Sequence, residues 1–171
     1  MKRLGKEQVI RIHSILIEQT CGSDGIRDEG LLDSALNAPF QTFDGEYIYK
    51  TIKAKAAKLG YFLVKNHPFI DGNKRIGILV MISFLEINGV EVICTDEELI
   101  TLGLGLADGS INDEDLLKWI IDHSWYTDFS FHQGGNILLR HLYCHLNARW
   151  VRGSDAELWF KGQKVELDHN I

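Results

Sequence analysis

At 171 residues the chain suits one domain, or one domain with a sizeable appendage, and a compact chain of that length buries about 70% of its unfolded surface, so neither a metal nor a disulfide staple is required. Its formal charge of -6 argues against direct nucleic-acid binding, which usually needs a basic face. Cys21, Cys94 and Cys144 are odd in number and widely spaced, which suits a reducing cytoplasm better than a disulfide framework.

From the first residue, Met1-Lys2-Arg3 is basic, but Lys6, Glu7 and Arg11 interrupt the next apolar residues, and no signal-peptide core is expected. Val9, Ile12, Leu16 and Ile17 recur at helical spacing and predict a helix over residues 6–19. Gly22-Ser23-Asp24-Gly25 ends it with turn chemistry. Asp28 then caps a short helix carrying Leu31, Leu32, Ala35 and Leu36, which closes at Asn37-Ala38-Pro39. From Phe40 to Tyr49 aromatic residues and a threonine flank Asp44-Gly45, the strongest short hairpin signal. A plain connecting turn with its aromatics tucked into the core is the other reading of that stretch. Residues 49–66 form a long helix with Ile52, Ala56, Leu59, Phe62 and Leu63 as its packed stripe, and Gly60 permits close approach of a neighbour.

The chemistry is concentrated in His67-Pro68-Phe69-Ile70-Asp71-Gly72-Asn73-Lys74-Arg75. Pro68 disfavours helical geometry at His67, so the helix stops and a loop begins. Gly72 lets the loop turn tightly, and Asn73 is the expected N-cap of a helix that carries Lys74 and Arg75. The free N–H groups of a first helical turn, with the dipole behind them, form an anion site, and two cations strengthen it for phosphate. The next helix, from Ile76 to Leu85, is apolar on nearly all sides, so other helices should surround it. It is also the longest apolar run, short of a membrane span. Asn88-Gly89 ends it. A capping box at Thr95-Asp96-Glu97-Glu98 and a cap at Asn112 start two further helices, the second with Leu116, Leu117, Trp119 and Ile120.

The stretch from His67 to Arg75 resembles the signature of the Fic/Doc family, HxFx(D/E)(A/G)N(G/K)R, with every defined position met. The resemblance covers residues 1 to about 124 and implies an all-α, Fic/Doc-type helical bundle with a short β-hairpin flap as the catalytic domain. It implies that Phe40, Gln41, Thr42 and Phe43 belong to that flap and hold a target segment by strand addition. It further implies a transferase that moves part of ATP onto a protein hydroxyl. Such a reaction needs a base, a divalent cation, donors for developing charge and a clamp for the acceptor. His67 is the candidate base, since a neutral imidazole takes a hydroxyl proton near pH 7. Asp71 is the candidate Mg²⁺ ligand. Gly72, Asn73, Lys74 and Arg75 are the candidate phosphate-binding residues, and Phe69 anchors the loop in the core.

Fic proteins that transfer AMP typically read HxFx(D/E)GNGRxxR. Here Lys74 replaces the glycine after Asn73, and Ile78 stands where the second arginine would be. Both departures match the Doc branch, as does the segment Gly25-Ile26-Arg27-Asp28-Glu29-Gly30-Leu31-Leu32-Asp33-Ser34-Ala35-Leu36. The resemblance therefore implies a cytoplasmic toxin that passes the γ-phosphoryl group of ATP to a threonine or serine of elongation factor Tu and is neutralised by a separate antitoxin. AMP transfer to a hydroxyl and a non-enzymatic binding role are the alternatives. The near-match of Ser14-Ile15-Leu16-Ile17-Glu18-Gln19 to the inhibitory motif (S/T)xxxE(G/N) is broken at Gln19 and reads as an ordinary helix face.

Residues 125–171 form an extension that no family pattern accounts for. Residues 136–151 are expected to form an amphipathic helix, and residues 157–167 a hairpin. His141, Cys144 and His145 would share one face of that helix, but without a recognisable fourth ligand they read as helix chemistry rather than zinc.

Overall fold

The computed structural model describes residues 1–126 and three short strands beyond them. Helix α1 (Lys6–Thr20) buries Val9, Ile12, His13, Leu16 and Ile17. Helix α2 (Glu29–Asn37) is capped by Asp28, whose carboxylate accepts from the N–H of Leu31 at 2.9 Å. It buries Leu32, Ala35 and Leu36 but turns Leu31 outward. A 3₁₀ turn (Ala38–Phe40) leads into the predicted hairpin, β1 (Thr42–Phe43) paired with β2 (Glu46–Tyr47). Asp44 and Gly45 between them have φ of 51° and 77°, the double left-handed turn that an Asp-Gly pair favours.

Helix α3 (Ile52–Lys65) starts three residues later than its apolar pattern suggests. Thr51 supplies the cap, its hydroxyl accepting from the N–H of Ala54 at 3.1 Å. After the signature loop comes α4 (Asn73–Ile87), buried from Ile76 to Leu85 without interruption and packed against α1, α3 and α5 (Asp96–Asp108). Its surround of helices is the consequence expected of an all-round apolar sequence. The Thr95 capping box and the Asn112 cap of α6 (Asp113–His123) both form.

A pairing the sequence did not announce joins β3 (Val90–Val92), after α4, to β4 (Ser124–Tyr126), after α6. The helical body therefore continues through Tyr126. The contact closes over two intervening helices, and nothing in three-residue strands marks their partner. In the extension, β5 (Ala148–Val151), β6 (Glu157–Phe160) and β7 (Gln163–Val165) form an antiparallel sheet in the order β5-β6-β7. The predicted hairpin is present as β6 and β7. The predicted helix is corrected at its end, where Trp150 and Val151 are good strand formers paired opposite Leu158 and Glu157. His141, Cys144 and His145 lie outside the described residues.

The packing of α3 on α4 fixes where the signature loop emerges, and two glycines permit it. A Cβ on Gly60 would sit 3.0 Å from Sδ of Met81, and one on Gly77 would sit 2.5 Å from Cγ2 of Val64 and 3.1 Å from the carbonyl oxygen of Gly60. Alanine at position 77 gains about 1 kcal/mol of helix propensity, but the clash lies partly against main chain that cannot rotate away. Gly77→Ala is expected to destabilise the fold by about 1–3 kcal/mol net, read as a lower midpoint of urea unfolding at unchanged slope.

Candidate active site

The loop between α3 and α4 is held by main-chain pairing rather than by its own helices. Asn66 ends α3, and His67 adopts φ 47°, in the left-handed region. Pro68 predicts an extended His67. The helix does stop there, but the loop selects the left-handed turn that carries the carbonyl of Pro68 to the N–H groups of Arg27 (2.8 Å) and Asp28 (3.1 Å). The N–H of Ile70 in turn donates to the carbonyl of Gly25 at 3.0 Å, so residues 25–28 lie along the loop, with Ile26 and Phe69 forming an isolated antiparallel bridge. Arg27 also donates to the carbonyl of Asn66 at 3.1 Å, at the C-terminal end of α3. A left-handed non-glycine residue costs on the order of 1–3 kcal/mol and persists only where its surroundings over-determine it. His67 is half-buried, and no hydrogen bond or ion pair engages its ring among the described residues.

The capping expectation for Asn73 is corrected. Gly72, at φ 76° and ψ 7°, is the N-cap, and Asn73 is the first helical residue. The Asn73 side chain turns back instead. Its Oδ1 accepts from the N–H of Phe69 at 2.9 Å, and its Nδ2 donates to the carbonyl of Phe69 at 3.0 Å. Both amide atoms are thus committed to closing the loop, and what Asn73 offers an anion is its main-chain N–H. Phe69 is fully buried, as expected of a loop anchor. No side chain caps α4, so the N–H groups of its first turn are left for another acceptor. Lys74 and Arg75 are exposed on that turn.

Asp71 stands beside this turn, half-exposed. Its Oδ1 accepts from the N–H of Gly72 at 2.5 Å, and its Oδ2 lies 3.5 Å from Nη2 of Arg75. The hydrogen bond from Gly72, then the charge of Arg75 and the main-chain dipole of nearby Ser23, hold its carboxyl below the usual carboxylate range against the opposing effect of desolvation. Near neutral pH it is an anion open to solvent. One such carboxylate beside a phosphate site fits Mg²⁺, which takes one or two carboxylates and completes its shell with phosphate oxygens and water. No cluster of three or more His, Cys, Asp or Glu that could hold a metal occurs among the described residues.

His13 was not singled out by the sequence. It is 1% exposed, stacks on Phe69 with ring centroids 3.8 Å apart at 11°, and places Nε2 2.8 Å from the carbonyl oxygen of Asp71. A carbonyl only accepts, so Nε2 carries the hydrogen. The available signal was a polar residue on the apolar face of α1, between Ile12 and Leu16.

The hairpin divides the four predicted flap residues. Thr42 and Phe43 form β1, and Phe43 is 79% exposed. Gln41 is exposed and its carbonyl accepts from the N–H of Ile48 at 3.0 Å. Phe40 is corrected from flap to anchor. It ends the 3₁₀ turn, meets Phe84 edge-on at 5.9 Å and lies under the Arg3 guanidinium at 3.8 Å. Arg3 also donates to the Tyr47 hydroxyl at 3.2 Å, tying β2 to the N-terminus.

Residues 3–85, which hold this loop and the elements that brace it, match the family model described as the Fic/DOC family. Over these residues the chain belongs to the Fic/Doc family. A curated relative named Toxin Doc, from Mycolicibacterium smegmatis (strain ATCC 700084 / mc(2)155), is 39% identical over 89 residues, which cover 52% of this chain and 66% of the relative. Against the Fic/Doc signature, the position of the second arginine is informative. Ile78 is 6% exposed, and a Cβ on Gly103 of α5 would sit 3.6 Å from its Cγ1 and 3.8 Å from Cβ of Lys74. Helix α5 therefore covers position 78 and runs beside the first turn of α4. No helix among the described residues is long and apolar enough to cross a membrane.

Proposed function

We propose that this Fic/Doc protein is a Doc-like toxin of a toxin–antitoxin system, a cytoplasmic enzyme that transfers the γ-phosphoryl group of ATP to a threonine or serine hydroxyl of elongation factor Tu and so halts translation. A separate antitoxin chain holds it in check. The observation that carries the reading is at the head of α4, where an exposed Lys74 stands beside the uncapped turn while position 78 is occupied by a buried isoleucine under α5. A site for AMP transfer would need a second guanidinium where Ile78 packs. The site has instead one flexible ammonium able to reach a terminal phosphate. The likeness to the Doc toxin of M. smegmatis supports the toxin part of the reading.

In this reading the hydroxyl oxygen attacks the γ-phosphorus while the bond to the oxygen bridging the β- and γ-phosphates breaks, and ADP leaves. His67, with its ring unengaged, takes the hydroxyl proton. The N–H groups of Asn73 and the next residues, with Lys74 and Arg75, bind phosphate oxygens. Gly72 allows the turn that presents those N–H groups. Asp71 holds Mg²⁺, which supplies charge neutralisation at the phosphates when bound. Strand β1 of the hairpin offers main-chain groups to the target segment, with Phe43 and Gln41 flanking it. Intact His67 and Asp71 speak against a purely binding role.

Expression of the chain without a partner in a bacterial host is expected to stop growth, with incorporation of labelled amino acids falling before RNA synthesis does. Growth and incorporation at the rate of an empty-vector control would contradict the toxin reading.

A further inference from the structure

His13 joins a closed circuit of contacts around Asp71. Its Nε2 donates to the Asp71 carbonyl at 2.8 Å, and its Nδ1 lies 3.2 Å from Oδ1 of Asp24. That same Asp24 oxygen accepts from the N–H of Gly25 at 2.8 Å, which fixes the turn after α1. The turn returns to Asp71 by close packing of its first residue. Gly22 is part of the fit, since a Cβ there would lie 2.5 Å from Oδ2 of Asp71. The Asp71 main chain is therefore anchored by the buried ring directly, and its side chain packs against the residue 22–25 turn that the same ring faces.

We propose that His13 is a positioning residue for the Asp71 carboxylate, setting its direction relative to the uncapped turn of α4. The inference rests on the reading of Asp71 as the Mg²⁺ ligand. A buried histidine that merely filled space would not need one nitrogen on the loop carbonyl and the other facing the Asp24 carboxylate, to which Nδ1 donates only when it too carries a hydrogen. The flat stack on Phe69 would suffice. Partners that orient a metal ligand typically change metal affinity ~10–100-fold when removed. Here the partner acts on a carboxylate whose own two oxygens are otherwise held by Gly72 and Arg75.

The test separates packing from positioning. His13→Phe keeps an aromatic ring on Phe69 and removes both polar contacts, and Asp24→Ala removes only the link to the turn. Two readouts are taken on the full chain. One is amide hydrogen exchange at Gly72, and the other is binding of Mn²⁺ together with a non-hydrolysable ATP analogue, followed by electron paramagnetic resonance. His13→Phe is expected to speed exchange at the Gly72 amide and weaken Mn²⁺ binding ~10-fold, with a smaller change in the same direction for Asp24→Ala. The double variant should be little worse than His13→Phe, because both substitutions open one circuit. If His13→Phe does not fold, His13→Gln and Asp24→Ala carry the same comparison. Unchanged exchange and unchanged Mn²⁺ affinity in folded variants, beside a wild type that binds, overturn the positioning role alone. A wild type that fails to bind Mn²⁺ with the analogue overturns the Asp71 assignment and this inference together.

Discussion

His67→Ala is expected to lower the rate of transfer ~10²–10⁴-fold and to turn a growth-arresting protein into a tolerated one. The size comes from the role. A base placed at the reacting hydroxyl contributes that much in the transition state, and no other histidine stands in the signature loop. The fold should survive the change. The His67 ring makes no hydrogen bond or ion pair among the described residues, and the loop around it is held by Pro68, Phe69 and Ile70 through main-chain partners on residues 25–28 and the side-chain amide of Asn73. Alanine inherits the left-handed backbone at φ 47°, which histidine adopts more readily than most non-glycine residues, so a small fall in melting temperature is expected beside the large loss of activity. Radiolabel transfer to purified elongation factor Tu, with thermal unfolding of both proteins, checks both halves. Transfer at the wild-type rate by a folded alanine variant would remove His67 from the mechanism.

Lys74→Gly is expected to reduce phosphoryl transfer ~10²–10³-fold, the usual consequence of removing one pre-placed group that stabilises transition-state charge. The side chain is exposed on the first turn of α4, so its removal costs the fold little beyond glycine's weaker helix propensity. Gain of AMP transfer is not expected from this change alone, because position 78 still holds a buried isoleucine. Ile78→Arg would have to push a guanidinium past Gly103 and displace α5, so the double variant should be markedly less stable than Lys74→Gly. Unchanged phosphorylation in folded Lys74→Gly would keep the enzyme and discard Lys74 as the reason for its direction.

The parts of this protein that were legible in its sequence are those whose signal and partner lie within a few residues. The Asp44-Gly45 turn, the caps at Asp28, Thr95 and Asn112, and the signature loop all belong to that class. Each is a short-range hydrogen-bonding solution whose residue types are nearly sufficient to specify it. Asn73 shows the limit of that logic. An asparagine beside a glycine can cap the helix ahead or turn back to the loop behind. The choice fell to Phe69, whose main-chain N–H and carbonyl are buried and require partners. His13 and β4 were illegible for a different reason. Their partners lie 58 residues away at Asp71 and beyond two helices at β3, and a single histidine or a three-residue strand carries no mark of such a partner. Phe40 was misplaced by adjacency. It precedes the hairpin directly, yet the 3₁₀ turn sets it edge-on to Phe84, partly buried against the core.

Which phosphate of ATP faces His67 decides between a kinase and an AMP transferase, and labelling ATP separately at the α and γ positions reads it out. The full chain is incubated with elongation factor Tu, Mg²⁺ and each label in turn, and the factor is then separated and counted. Label is expected on the factor from γ-labelled ATP only, on a threonine or serine, and none when Asp71 is replaced by asparagine. Label arriving from the α position would contradict the kinase reading and make the protein an AMP transferase.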